Sequence, residues 1–200
     1  LKIWVRLLAP FAPHMCEEIW SLLGEMSFIS LASWPKPDEK LVDIRSEESE
    51  NFSKSVMEDT QNIIRATKTT PSKICYYTSA PWKWKLYLMV LEKASEGKPE
   101  TSTLIRELLK ETELREHAKE VANIAPKVAE EIMKMSEEKI KTQLNIGALE
   151  EYEILKNTKD FLSKEFNAEI HLFTEDDPKR YDPKQRAKLA KPYRPAIFIE

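Results

Sequence analysis

The residues most suited to chemistry lie near the end of the chain, between Pro178 and Arg194. Lys179, Arg180, Lys184, Arg186, Lys188, Lys191 and Arg194 stand there against one acid, Asp182, a local +6 in a chain whose total is −3. The remainder therefore carries −9, and such clustering of one sign can draw a polyanion to one part of an acidic surface. Lysine and arginine neutralise phosphates and release counterions. Tyr181 and Tyr193 interleave with them, and an aromatic face can stack on an unpaired base. The bland alternatives are a solvated basic loop and tyrosines that merely pack. Trp82-Lys83-Trp84-Lys85 is a weaker candidate, read as core and rim.

Other constellations carry less. His14-Met15-Cys16-Glu17-Glu18 has metal-ligating types, but zinc needs three or four converging nitrogen or sulfur ligands. Cys75, His117 and His171 are scattered, and Cys16 falls on an apolar stripe, so no metal site is expected. Three glycines leave little for a phosphate cradle, and neither a P-loop nor a GxGxxG is present. No catalytic residue is expected.

The elements that must hold these residues follow from periodicity. Leu1, Trp4, Val5 and Leu8 fall on one helical face, and Cys16, Ile19, Trp20 and Leu23 repeat the pattern. A stripe that begins at residue one suggests a piece of something longer. Pro13 suits a first helical turn and Gly24 a C-terminal stop. Residues 28–45, with Pro35 and Pro37, read as a connector. Ser46 opens a helix to about Thr67, with Phe52, Val56, Ile63 and Ala66 inward, and a domain boundary is expected near residue 70.

Lys73–Thr78 reads as a strand, and Ser79-Ala80-Pro81 opens a helix through Lys93. Ser95-Glu96-Gly97-Lys98-Pro99 reads as a loop. From Thr103 to about Gln143 the chain is helical, with stripes Leu104, Ile105, Leu108, Leu109 and Val121, Ile124, Val128, Ile132, Met135, and with Pro126 as a break or kink. A helix over 148–166 precedes strands at Glu169–Phe173 and Pro195–Ile199. The fold class is mainly α: the end of a helical bundle (1–70), then a small α+β module (71–200) with about three short strands.

Composition agrees with a soluble globular protein: 42% hydrophobic, 32% charged, without a run long enough for a membrane span or a signal segment. Two cysteines within apolar segments suggest buried thiols in a reducing compartment, hence a cytoplasmic protein. Scarce glycine with abundant Lys and Glu leans towards a heat-adapted source.

The segment LLAPFAPHMCEEIW, followed by Ala32-Ser33-Trp34-Pro35, closely resembles the last part of the helical anticodon-binding domain of class I aminoacyl-tRNA synthetases for Leu, Ile, Val and Met. The extension lacks the heptads of valyl enzymes and the cysteine-rich module of many isoleucyl ones. It resembles instead the C-terminal region of archaeal and eukaryotic-type leucyl-tRNA synthetases. The matching pieces are Glu150-Glu151-Tyr152-Glu153, Phe161–Phe166, Asp177-Pro178, Tyr181–Lys188 and Lys191–Glu200. Lys134-Met135-Ser136-Glu137-Glu138 is similar to the phosphate-holding KMSKS loop of that class, but it lacks the second lysine and sits in a helical run.

The resemblance implies a parent that joins leucine to its tRNA using ATP with Mg, on a distant Rossmann domain. This part would need no cofactor of its own. Its partners would be tRNA(Leu) and the upstream catalytic and editing domains of the same polypeptide, with no membrane. The terminal module would reach the long variable arm of tRNA(Leu). The basic segment would hold the arm's backbone while Ile199 and Glu200 approach its exposed bases. The same tail also reads as a buried strand, which would leave only its last residue or two for RNA. The alternatives are the same region of an isoleucyl or valyl enzyme, or a non-catalytic helical protein-interaction module.

Overall fold

A computed structural model describes residues 1–97 and 100–200. These form two compact units, Leu1–Asp43 and Ile44–Glu200.

In the first unit, α1 (Lys2–Leu8) and α2 (Pro13–Leu22) precede 3-10 turns at Ile29–Leu31 and Glu39–Leu41. Pro13 occupies the first turn of α2, where its missing N–H costs nothing. Gly24 ends the helix at φ +82°: its N–H donates to the Ser21 carbonyl at 3.0 Å and that of Glu25 to Trp20 at 3.3 Å, a Schellman pair that needs the left-handed residue. Val5, Cys16, Trp20 and Ile29 make the core. The expected stripe on α1 is buried only at Val5; Leu1 and Trp4 are 77% and 75% exposed. The period is helical, but within this unit α2 and the following turn cover only Val5.

The second unit opens with α3 (Ile44–Thr67) and β1 (Lys73–Thr78), followed by α4 (Pro81–Glu96), α5 (Thr101–Leu108), α6 (Thr112–Glu116), α7 (Ala118–Ile132), α8 (Glu137–Ile146) and α9 (Glu151–Phe166). Then come β2 (Glu169–Thr174), a 3-10 turn at Ala187–Leu189, and β3 (Ala196–Ile199). The sheet order is β2-β1-β3. β1 runs parallel to β2, from Lys73 opposite Glu169 to Thr78 opposite Thr174. It runs antiparallel to β3, from Ile74 opposite Ile199 to Tyr77 opposite Ala196.

Alternation divides the central strand between two cores. Ile74 and Tyr76 join the large helical core, with Ile170 from β2 and Ile197 and Ile199 packed against it. Cys75 and Tyr77 face the other way, onto Ala187, Ala190, Ala196 and Phe198. Both faces are covered, which is why this strand reads as a continuous apolar and aromatic run.

Several expectations need correction. The units part after Asp43 and not near residue 70, because α3 lays Phe52 and Val56 into the core that holds Ile74 and Tyr76. The inner face of α3 is Phe52, Val56 and Thr60; Ile63 is half-buried and Ala66 exposed. The Thr60 hydroxyl bonds the Val56 carbonyl at 2.7 Å and the Tyr76 phenol at 2.9 Å, which lets a polar residue sit there fully buried. Ser95 and Glu96 belong to α4, and Lys98 and Pro99 of the expected loop lie outside the described residues. α7 continues through Pro126: one backbone bond is lost, yet Val121, Ala125, Val128 and Ile132 still bury along one side. Among the described residues, no helix is long and apolar enough to cross a membrane.

Candidate nucleic-acid interface

Residues 175–195 cross the second face of the sheet as a strap, with Ala187 and Ala190 fully buried against Cys75, Tyr77 and Phe198. Small side chains at those two positions let the backbone lie close to the sheet. Asp182, the one acid among the basic residues, builds the bend. Its carboxylate accepts the Arg186 N–H at 2.7 Å and the Ala187 N–H at 2.9 Å, a short-range use of Asp typical of turns. From below, the Tyr77 hydroxyl donates to the Tyr181 carbonyl at 2.5 Å. Burial pushes the Tyr77 phenol well up, with Cys75 and Asp182 adding to the effect, so it stays a neutral donor.

The basic side chains divide into two groups. Lys179, Arg180, Lys184, Arg186 and Lys188 are exposed on the strap. Arg180 bonds the Asp177 carbonyl at 3.1 Å, Lys188 meets Gln185 at 3.3 Å, and the Lys184 ammonium lies 5.6 Å from the Phe198 ring centre. Lys191 and Arg194 instead pair with acids of the helical layer, Glu131 at 2.7 Å and Asp59 at 3.5 Å. Their charge is offset locally, although exposed pairs of this kind contribute little stability. The strap thus turns five cations outward, one of them, Arg180, 3.8 Å from the Asp182 carboxylate, and two more, Lys191 and the still exposed Arg194, pair with the helical layer.

The two tyrosines also part company. Tyr193 is half-buried and packs against the rings of both Trp84 and Tyr87, at 5.1 and 5.8 Å, in a three-ring cluster with the helical layer. Tyr181 is 44% exposed, tilted on Phe198 with the Lys73 ammonium 5.1 Å from its ring centre.

The terminal residues are tied down more than expected. Ile199 sits in β3 on the side of Ile197 and packs against the helical core, because alternation sends Ala196 and Phe198 to the strap side. Its side chain is half-buried there, on the side of the sheet away from the basic strap. The Glu200 carbonyl accepts the N–H groups of Ser72 and Lys73, at 2.7 and 3.0 Å, and the Ser72 hydroxyl at 3.0 Å. Its carboxylate remains at the surface, 3.3 Å from the Tyr181 hydroxyl and 3.6 Å from Lys73. One tail side chain, not two, joins the basic face.

The remaining motifs take structural places. His14 is exposed, Cys16 is buried, and Glu17 accepts the Ile29 N–H at 2.9 Å. Ser136 caps α8 through the Lys139 N–H at 3.3 Å, and Lys134 pairs with Glu130.

Two buried charges escaped the sequence reading. Lys83 is 4% exposed beneath the strap, and its signal was a lysine flanked by Trp82 and Trp84 in an apolar run. Glu151, in the first turn of α9, is 2% exposed and accepts the Tyr193 N–H at 2.7 Å and the Ser79 N–H at 3.1 Å. Burial pushes its carboxyl up to about 7, overcoming the opposing pull of those two N–H groups and of Trp84. A cleft of about 700 Å³ opens beside it, walled by Trp84, Leu88, Leu149 and Tyr152.

Residues 1–86 match the family model described as the anticodon-binding domain of tRNA ligase. Over its whole length the chain is 40% identical to a leucine–tRNA ligase of Methanococcoides burtonii, of which it covers 21%. It is 37% identical to one from Methanothrix thermoacetophila, covering 20% of that protein. Over 99% of its length it is 38% identical to one from Pyrococcus abyssi, covering 18%. The chain thus spans about a fifth of the length of these curated relatives. With a segment matching the anticodon-binding model at its start and similarity unbroken to its end, this chain is similar over its whole length to about a fifth of the length of archaeal leucine–tRNA ligases.

Proposed function

We propose that this chain is the tRNA-docking part of a leucyl-tRNA synthetase, and that its strap holds the long variable arm of tRNA(Leu). The observation that carries the reading is the strap itself: five outward cations on a backbone pinned to a sheet, in a chain that is acidic elsewhere. Phosphate contacts fix register and orientation without reading sequence. Discrimination then falls to groups that reach unpaired bases, and the Tyr181 ring and Glu200 carboxylate lie together beside the strap. In this reading leucine activation, with ATP and Mg, belongs to other domains of the same polypeptide in the cytoplasm.

The test separates affinity from discrimination. Lys184→Ala, Arg186→Ala and Lys188→Ala should weaken binding to long-arm and short-arm tRNAs in similar proportion. Each should reduce the slope of log K against log salt by about 1 at most. Deleting residues 199–200 would also strip β3 of backbone bonds to β1, so Glu200→Ala is the cleaner probe of the tail. It should leave the slope nearly unchanged or slightly steeper, and reduce discrimination for the long-arm tRNA by about 1–3 kcal/mol if one good base contact is lost. Unchanged affinity in all three cationic variants would favour the protein-interaction reading.

A further inference from the structure

We infer that Lys83 is a positioning residue that clamps the basic strap in its RNA-facing form, an inference resting on the strap's proposed role as the tRNA surface. An ammonium has three N–H donors and no acceptor. At Lys83 the three have partners: the Glu175 carboxylate at 2.8 Å, the Lys188 carbonyl at 2.9 Å and the Ala190 carbonyl at 2.7 Å. Those carbonyls flank the last residue of the 3-10 turn, Leu189, and both are drawn inward onto one buried charge. With the Lys188 backbone held from below, its side chain is left exposed.

The choice of residue follows from the geometry. A compact point charge can serve three acceptors around it, whereas the planar fork of arginine cannot. An ion pair kept only for stability is often replaceable by apolar side chains of similar volume at little cost. Such a replacement here would leave two strap carbonyls without their donor, so the strap and not the core should bear the loss. Glu175 has the complementary task. It balances the buried ammonium and accepts the Ala80 N–H at 3.4 Å, anchoring the charge to the start of α4.

The experiment keeps net charge constant. In Lys83→Met/Glu175→Leu one positive and one negative charge leave together, so a change in salt slope cannot come from lost charge. The double variant should melt cooperatively. Its Leu189, Ala190 and Lys191 amides, bonded at 2.8, 3.0 and 3.0 Å within the turn and strap, should exchange with deuterium at least about tenfold faster than in the parent. Affinity for tRNA(Leu) should fall about fivefold or more at low salt, and the salt slope by about 1 or more, as strap cations leave register with the phosphates. Glu175→Gln keeps a neutral acceptor and both carbonyl bonds, and should bind tRNA within about twofold of the parent. Should the double variant fail to fold, Lys83→Gln, whose shorter amide cannot span the three acceptors, serves for the same measurements.

Unchanged strap exchange in the Met/Leu variant would overturn the clamp. Faster exchange with unchanged tRNA affinity and slope would instead overturn the strap as a tRNA surface. Weakened binding in Glu175→Gln equal to that of the double variant would assign the effect to the ion pair and not to the carbonyl bonds.

Discussion

Replacing Glu151 with Gln should alter how stability depends on pH. The carboxyl is 2% exposed and its proton is held up to about pH 7, against 4.5 for an ordinary glutamate. Between those values the unfolded chain has released the proton while the folded chain keeps it. The unfolded state therefore binds fewer protons, and stability falls as pH rises through this window. Below 4.5 both states are protonated and above about 7 both are ionised, so the contribution is flat on either side. The gap of some 2.5 pH units is worth about 3 kcal/mol in all, at about 1.4 kcal/mol per unit. In Glu151→Gln this loss is absent. The amide also turns an NH2 towards one of the two backbone N–H groups, a cost of about 1–3 kcal/mol that does not vary with pH. Urea denaturation of both proteins from pH 4 to 8.5 gives the assay. Subtracting the two curves cancels every titration they share, including the three histidines. The difference should move by about 3 kcal/mol in favour of the variant as pH rises, and then level off. A difference constant within about 0.5 kcal/mol across the range would refute the argument that burial outweighs the hydrogen bonds at this carboxyl.

At the Thr60–Tyr76 pair the direction of the hydrogen bonds predicts an asymmetry. Thr60 donates to the Val56 carbonyl, so the phenol donates to Thr60, and Tyr76→Phe should cost about 1 kcal/mol whereas Thr60→Val, which strands a buried phenol, should cost about 1–3 kcal/mol by thermal or urea melts. Cys16 and Cys75 are both fully buried, and burial raises the Cys75 thiol; neither should react with a thiol reagent until denaturant is added, and rapid native labelling of either would contradict this. Replacing Asp182 with Ala removes the acceptor for two strap N–H groups; it should speed strap amide exchange even though it makes the segment more basic, and tighter tRNA binding with unchanged exchange would show that charge alone governs the strap.

Much of the fold was legible because its signals are local. The three strands, the helix opening at Pro81 and the Gly24 stop each rest on residue types that decide their own backbone, and each appears where those residues stand. The likeness to leucine–tRNA ligases, too, was legible in contiguous motifs. Boundaries inside the helical stretch were less so. Four helices occupy the expected single run from Thr103, because short connections without glycine leave no local mark, and Pro126 did not stop α7.

The candidate surface divides in the same way. Its composition could be read residue by residue: seven cations against one acid, beside two tyrosines and the acidic Glu200. Packing chose which of them face outward. It paired Lys191 and Arg194 with Glu131 and Asp59, packed Tyr193 against two rings of the helical layer, and turned Ile199 towards the core. It also enlisted Lys83 and Glu151, distant in sequence, to grip the strap and the turn before β3. Charge and backbone preference belong to a residue and its neighbours. Burial, and the partner that makes a buried charge tolerable, belong to whatever the fold lays against it.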